Sequence, residues 1–261
     1  MIDGIEVERD AGGVATVALA RPEKRNAVSL AMWQALKPIF DGLGADPAVR
    51  AVILTGHGGH FCAGADISEF ATVRSGAAAA AAYEAAGDAA TQAIRDCPKP
   101  TIAAVSGFGV GGGCGIALAC DLRVGDATTR MGIPAAKRGL VYGTLDTGLL
   151  MRAVGPAGAK LVLFTGRAFP AAECLRLGLL DMLAEEGSAL DTARALAIEI
   201  ASNAPISVAG SKFVVETMAA GQEDARAGAI HAWQERATAS ADYAEASRAF
   251  VEKRPARFTG R

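Results

Sequence analysis

Two glycine-containing turns, each set directly behind a run of apolar residues, constrain this chain more than any other feature. The first is His60-Phe61-Cys62-Ala63-Gly64-Ala65-Asp66, after AVILTG. The second is Gly111-Gly112-Gly113, after TIAAV and ahead of the apolar stretch CGIALAC. A short apolar run bounded by glycine reads as a buried strand. Glycine lets the backbone approach a ligand closely, and N–H groups at a helix N-terminus favour negative charge. Two such N–H groups aimed at one oxygen would form an oxyanion hole, although spacing alone does not establish that they converge.

Around these turns the first half of the chain alternates strands and helices. IEVER and VATVALA, joined around Gly12 and Gly13, read as a hairpin. Ser29 is placed to cap the helix LAMWQALKPIFDGLGA, with a kink expected at Pro38. An alanine-rich segment, about 77 to 95, has high helix propensity and no function is assigned to it. LRVGD reads as a strand, and from about 144 the helical signal takes over: TGLLMRAV, GAKLVLFTG and PAAECLRLG, a short strand around DMLAE, then consecutive helices from 189 to 252. No repeat of fixed period is present. The expected architecture is a strand-rich α/β core over residues 1–195 followed by a helical region over 196–261.

The 261 residues are 51% hydrophobic, enough for a sizeable core, and the net charge of −2 leaves no basic field to draw in nucleic acid. The acidic start MIDGIEVERDAGG lacks the basic and apolar regions of a secretory signal, and no uncharged apolar run is long enough to suggest a membrane span. A soluble, cytoplasmic protein is expected. Cys62, Cys97, Cys114, Cys120 and Cys174 show no CxxC spacing and read as buried free thiols. His57, His60 and Cys62 fit no standard metal-ligand set, and His231 reads as a helix-surface residue. Gly107, Gly109 and Gly112 spell GxGxxG after a strand, with Asp126 further on, which imitates a dinucleotide fingerprint. A hundred residues precede it and the following helix is short, so the context for that fingerprint is absent.

Several stretches resemble the crotonase (enoyl-CoA hydratase/isomerase) family. HFCAGADI, His60 to Ile67, is similar to its F-x-A-G-A-D motif, and PTIAAVSGFGVGGGCGIALACD, Pro100 to Asp121, to its proline-led strand with triple glycine and Cys-Asp end. RPEKRNAVS, VGPAGAKLVLFTGRAFPAAECLRLGLLD and the terminal FVEKRPARFTGR extend the resemblance over nearly the whole chain. The resemblance implies a crotonase-like spiral of ββα units with a helical C-terminal trimerisation region, and a homotrimer or a homohexamer of two trimers. It implies an acyl-CoA substrate of the kind met in fatty acid metabolism, with coenzyme A as part of the substrate and no further cofactor. The backbone N–H groups of Ala65 and Gly112 would be the oxyanion hole, with Gly111 beside them. Coenzyme A contacts would come from Lys24, Arg25 and Ala27, from Ala63, Gly64, Asp66 and Ile67, and from Phe250 and Lys253, the last two acting from a neighbouring subunit.

The chain departs from the family at one point of chemistry. Family hydratases carry two glutamates that activate and position water; the matching positions here are Gly115 and Ala135. Neither can accept a proton, so standard hydratase chemistry is not expected, and Ala135 becomes part of the substrate wall. Tyr142, in GLVYG, is expected to line the pocket, with Asp146 as candidate acid or base. An isomerase or lyase step through a thioester enolate fits these residues. Decarboxylation, which needs no carboxylate base, is the main alternative, and a non-catalytic acyl-CoA-binding protein is another.

Overall fold

The computed structural model describes residues 4–261. β1 (Ile5–Arg9) and β2 (Val14–Leu19) form the expected hairpin, in register from Ile5↔Leu19 to Arg9↔Ala15. Asp10 closes its turn by accepting from the N–H groups of Gly12 and Val14 at 2.8 and 2.9 Å. Helix α1 (Leu30–Ala45) starts where Ser29 Oγ accepts from Met32 N and continues through Pro38.

β3 (Ala51–Gly56) pairs in parallel with β2. A short helix, α2 (Phe70–Val73), and the long alanine-rich α3 (Ala77–Arg95) follow. Next come β4 (Thr101–Val105), β5 (Phe108–Val110), α4 (Gly112–Ala119), β6 (Leu122–Gly125) and β7 (Arg130–Gly132). The chain continues through α5 (Thr144–Thr165), β8 (Phe169–Pro170), α6 (Ala171–Leu177) and β9 (Met182–Leu183). It ends in α7 (Ala189–Ala201), α8 (Pro205–Ala219), α9 (Ala227–Thr238) and α10 (Ala241–Glu252).

The strands form a six-stranded sheet in the order β1-β2-β3-β4-β6-β9 and a three-stranded sheet in the order β5-β7-β8. Two successive turns of chain, β4-β5-α4 and β6-β7-α5, lay one strand in the large sheet and the next in the small one before a helix returns. This is the ββα spiral implied by the resemblance. The central strands are apolar at almost every position because both faces are covered. On β3 and β4, Val52, Leu54, Ala103 and Val105 join the main core with α1, α3 and α4. The alternate residues Ala51, Ile53, Ile102 and Ala104 face a second cluster with Ala193, Ala197 and Ala201 of α7. Those alanines recur every fourth residue, one face of the helix. Positions 195 and 196, between which the sequence reading divides the chain, lie inside α7.

Helix α5 is broken where the sequence suggests two segments. Gly155 takes φ 68° ahead of Pro156, because proline disfavours the helical conformation of its predecessor. Among the described residues α5 alone is long and apolar enough to cross a membrane, with a window of mean hydropathy 1.2, yet it carries Asp146, Arg152, Lys160 and this break. Asp126, the acid of the apparent dinucleotide fingerprint, is fully buried and spent on loop closure. It accepts from Ser106 Oγ at 2.6 Å and from Thr128 N at 2.9 Å.

The close seat of α7 gives a direct prediction. Ala197→Leu forces a larger side chain between helix and sheet and is expected to cost about 1–3 kcal/mol of stability. The urea midpoint should fall accordingly, and an unchanged midpoint would show that α7 is not closely packed there.

Candidate active site

The first turn is pinned from both sides. Asn26, fully buried and in a left-handed conformation (φ 57°), donates from Nδ2 to the carbonyls of His57 and His60 at 2.8 and 2.6 Å. Its Oδ1 accepts from Arg21 N. Asp66, 4% exposed, accepts from Arg21, Lys24 and Ser68. Burial would raise its carboxyl, but the bonds from Lys24, Ser68 and Arg21 outweigh that and hold it far below the usual carboxylate range. Asp66 and Lys24 therefore tie the loop to the segment after β2.

A parallel bridge joins Val28 to Ala65: Val28 N donates to Gly64 O, and Asp66 N donates to Val28 O. The bridge uses groups on either side of Ala65, so the N–H of Ala65 points the other way. A second parallel bridge, Cys62 to Gly109, brings β5 alongside, with Cys62 N donating to Phe108 O at 2.7 Å and Val110 N to Cys62 O at 3.0 Å. The two turns then stand face to face. A Cβ on Gly64 would lie 2.8 Å from Val110 O and 3.4 Å from Gly112 N, and one on Gly112 would lie 3.9 Å from Ala65 N. Gly112 opens α4, so its N–H has no acceptor within the helix. Among the described residues no backbone acceptor is recorded for the N–H of Ala65.

Both turns border one cavity of about 240 Å³, lined also by Ala63, Ile67, Gly111 and Ala135. Trp33 lies beneath Gly112, its ring 3.1 Å from where a Cβ would be, and its Nε1 donates to the Tyr83 hydroxyl at 3.0 Å in a buried bond. Tyr142 and Asp146 both reach this cavity. The Tyr142 hydroxyl is 3.6 Å from the Cβ position of Gly111, and burial, then the charge of Asp146, pushes the phenol up so that it stays protonated. Asp146 occupies the space left open at Gly115: its Oδ1 lies 3.0 Å from the Cβ position there. Burial, followed by the charges of Asp88 and Glu84, raises the Asp146 carboxyl to about 6.

Helix α3, to which the sequence reading assigns no role, supplies a wall of the cavity through Tyr83, Glu84, Gly87, Asp88 and Thr91. The signal was present: these positions fall on one helical face within a background of alanine. Arg74 pairs with Glu84 and sits over the Phe70 and Tyr83 rings. Asn26, Trp33 and Tyr83 are the structural supports that sequence reasoning missed.

A second groove adjoins the cavity and shares Ala63, Val110 and Pro134 with it. Arg25 and Lys137 border it, and Arg25 lies over the Phe108 ring at 5.3 Å. Ala27 is buried and accepts from Arg21 through its carbonyl at 2.8 Å. Phe250, 85% exposed, and Lys253, the C-cap of α10, are not among the residues bordering the cavity of their own chain.

His60 stacks on Phe108, and His57 pairs with Glu6. Among the described residues no three His, Cys, Asp or Glu side chains group to hold a metal. All five thiols are buried, and burial pushes Cys62 and Cys114 up to about 12, far from nucleophilic use.

Residues 9–261 match the family model described as enoyl-CoA hydratase/isomerase. A Thermus thermophilus protein provisionally named an enoyl-CoA hydratase is 42% identical, over 97% of this chain and 100% of its own. The short-chain-enoyl-CoA hydratase of Clostridium acetobutylicum is 34% identical, over 97% of this chain and 96% of its own. Among solved structures, an enoyl-CoA hydratase/isomerase family protein from Hyphomonas neptunium superposes with a TM-score of 0.94 at 40% identity, covering 99% of this chain and 98% of its own. The chain has the crotonase fold and belongs to the enoyl-CoA hydratase/isomerase family, enzymes that act on thioesters of coenzyme A.

Proposed function

We propose that this protein is an enoyl-CoA isomerase-type enzyme in which Asp146 is the single carboxylate that moves the proton. The observation that carries this reading is the placement of the Asp146 carboxylate in the space left by Gly115, in a cavity bordered by Ala65 and Gly112. The N–H groups of Ala65 and Gly112 hold the thioester oxygen. Asp146 takes a proton from C2 of a 3-enoyl thioester, and the electron pair of that C–H bond moves onto the oxygen as a dienolate. The same carboxyl returns the proton to C4, leaving the double bond between C2 and C3. One base suffices, and charge builds on the thioester oxygen only as the proton leaves, so the two amides bind the transition state more tightly than the substrate.

Hydration is served less well. Adding water at C3 while protonating C2 is the task of the two family glutamates, and Gly115 and Ala135 stand in their places. Decarboxylation would bring the substrate's own carboxylate into a cavity where Asp88 and Asp146 oppose it, Glu84 is already paired with Arg74, and Arg138 is a counter-charge that would favour it. The half-buried Tyr142 phenol, kept protonated, donates to the acyl or thioester end. Arg25, with Lys24 and the neighbouring Lys137, faces the phosphates of coenzyme A. Ala27, Ala63, Gly64 and Ile67 shape its entry, and Asp66 holds that entry in place. Phe250 and Lys253 complete the coenzyme A site of a neighbouring subunit in a homotrimer, or a homohexamer built from two. The site of action is cytoplasmic.

Asp146→Asn is expected to lower turnover of 3-enoyl-CoA by about 10²–10⁴-fold. The wild-type kcat/KM should rise with pH through about 6 as Asp146 ionises. The same substitution tests folding independently. A raised carboxyl binds its proton more tightly in the folded state, so the charged form destabilises the fold above pH 6, and that penalty fades as pH falls towards the ordinary carboxylate value. Asp146→Asn should therefore melt higher than wild type at pH 8, and the difference should vanish near pH 3. Undiminished turnover in this variant removes Asp146 from the mechanism.

Gly112→Pro removes the N–H at the first helical position, where proline is best tolerated. Turnover should fall by about 10²–10³-fold. Gly112→Ala adds a comparable contact with Trp33 but keeps the N–H, and it should lose far less; equal losses would refute the amide's role. Tyr142→Phe should lower kcat by about tenfold, the worth of about one hydrogen bond, and an unaltered kcat would leave Tyr142 as wall only.

A further inference from the structure

We infer that Gly87 is a specificity-determining residue, an opening in the wall of α3 through which a long acyl chain is accommodated; this rests on the acyl-CoA reading above. Glycine is the poorest residue for a helix interior apart from proline. The sequence of α3 is otherwise dominated by alanine, AAAAAAYEAAGDAATQAIR, so a better helix former is the local norm. The chain's own packing does not call for the exception, because a Cβ at position 87 would meet nothing within 4 Å.

The glycines of α4 make the contrast. A Cβ at Gly112 would press on Trp33, one at Gly113 on Cys62 and one at Gly115 on the Asp146 carboxylate. Gly42 and Gly228 also face open space on exposed helix surfaces, and half-buried Gly148 of α5 does so too, but none of these three borders the cavity. Gly87 is half-buried, and the space it faces is the cavity itself. Tyr83 lies one turn before it, and Glu84 and Asp88 flank it on the same wall. Glu84, Asp88 and Asp146 border the same cavity, so this stretch of α3 faces the space in which the acyl carbons would lie. An acyl chain continuing past C4 runs along α3 at Gly87. On this wall Asp88 opposes a chain ending in a second carboxylate, while Glu84 is already paired with Arg74. The substrate class is then a coenzyme A thioester with a neutral, extended acyl chain.

The test compares Gly87→Ala and Gly87→Leu with wild type on 3-butenoyl-CoA and 3-decenoyl-CoA. Gly87→Ala should raise the melting temperature by about 2–4 °C, as expected for a better helix former where glycine has no packing role. Gly87→Leu should lower the ratio of kcat/KM for the long substrate over the short one by at least about tenfold. A ratio equal to wild type overturns the inference. Calorimetric binding of butyryl-CoA and decanoyl-CoA reads the same preference without turnover. If wild type binds both thioesters but converts neither enoyl substrate, the proton-transfer reading fails and the binding ratio still decides the role of Gly87. If it binds neither, both readings fail.

Discussion

The site depends on two stretches of main chain held edge to edge. Parallel bridges from Val28 to Ala65 and from Cys62 to Gly109 leave the Ala65 amide turned towards the start of α4. These bridges lie outside the main sheet, so they need support from elsewhere. Asn26 supplies it with three part-buried hydrogen bonds, and Asp66 with two cations and a serine. A buried carbonyl without a donor costs about 1–3 kcal/mol, so these side chains make the loop's position close to obligatory. Backbone groups fixed in this way need little reorganisation when charge develops on a bound oxygen.

The proposed chemistry turns on a single exchange of space. Losing the side chain at position 115 opens a volume next to the amide pair, and α5 delivers a carboxylate into it from its first turn. Asp146 is held in surroundings that oppose its charge: partial burial and two further acids on α3. That arrangement is unfavourable for folding and favourable for proton transfer near neutrality, the compromise expected of a functional carboxylate rather than a structural one. Asp66 shows the opposite case. It is the more deeply buried of the two, yet it is surrounded by donors and stays ionised.

Much of this was legible in the residues. The hairpin, the Ser29 cap, the buried strands and the two segments of α5 follow from short apolar runs, capping chemistry and local helical signal, all local rules. Ala65, Gly112, Tyr142 and Asp146, chosen from the sequence, border one cavity. The alanine-rich α3 was the main omission, because its composition masks the face that carries Tyr83, Glu84 and Asp88. The partnership of Trp33 with Tyr83 was also invisible, since contacts between distant segments leave no periodic trace. Phe250 and Lys253 do not border the cavity of their own chain.

The sequence by itself determined most of the longer strands and helices, and that two glycine turns follow buried strands, because those features depend on neighbours within a few residues. It also determined that no glutamate stands at positions 115 and 135. Only the tertiary structure decided that the Asp146 carboxylate fills the first of those gaps, that α3 walls the cavity, and that Gly87 faces open space while the glycines of α4 do not. The physical reason is that side-chain volume and charge act through space: whether a missing Cβ is a contact, a vacancy or a seat for another residue's carboxylate is set by segments that meet only after the chain has folded.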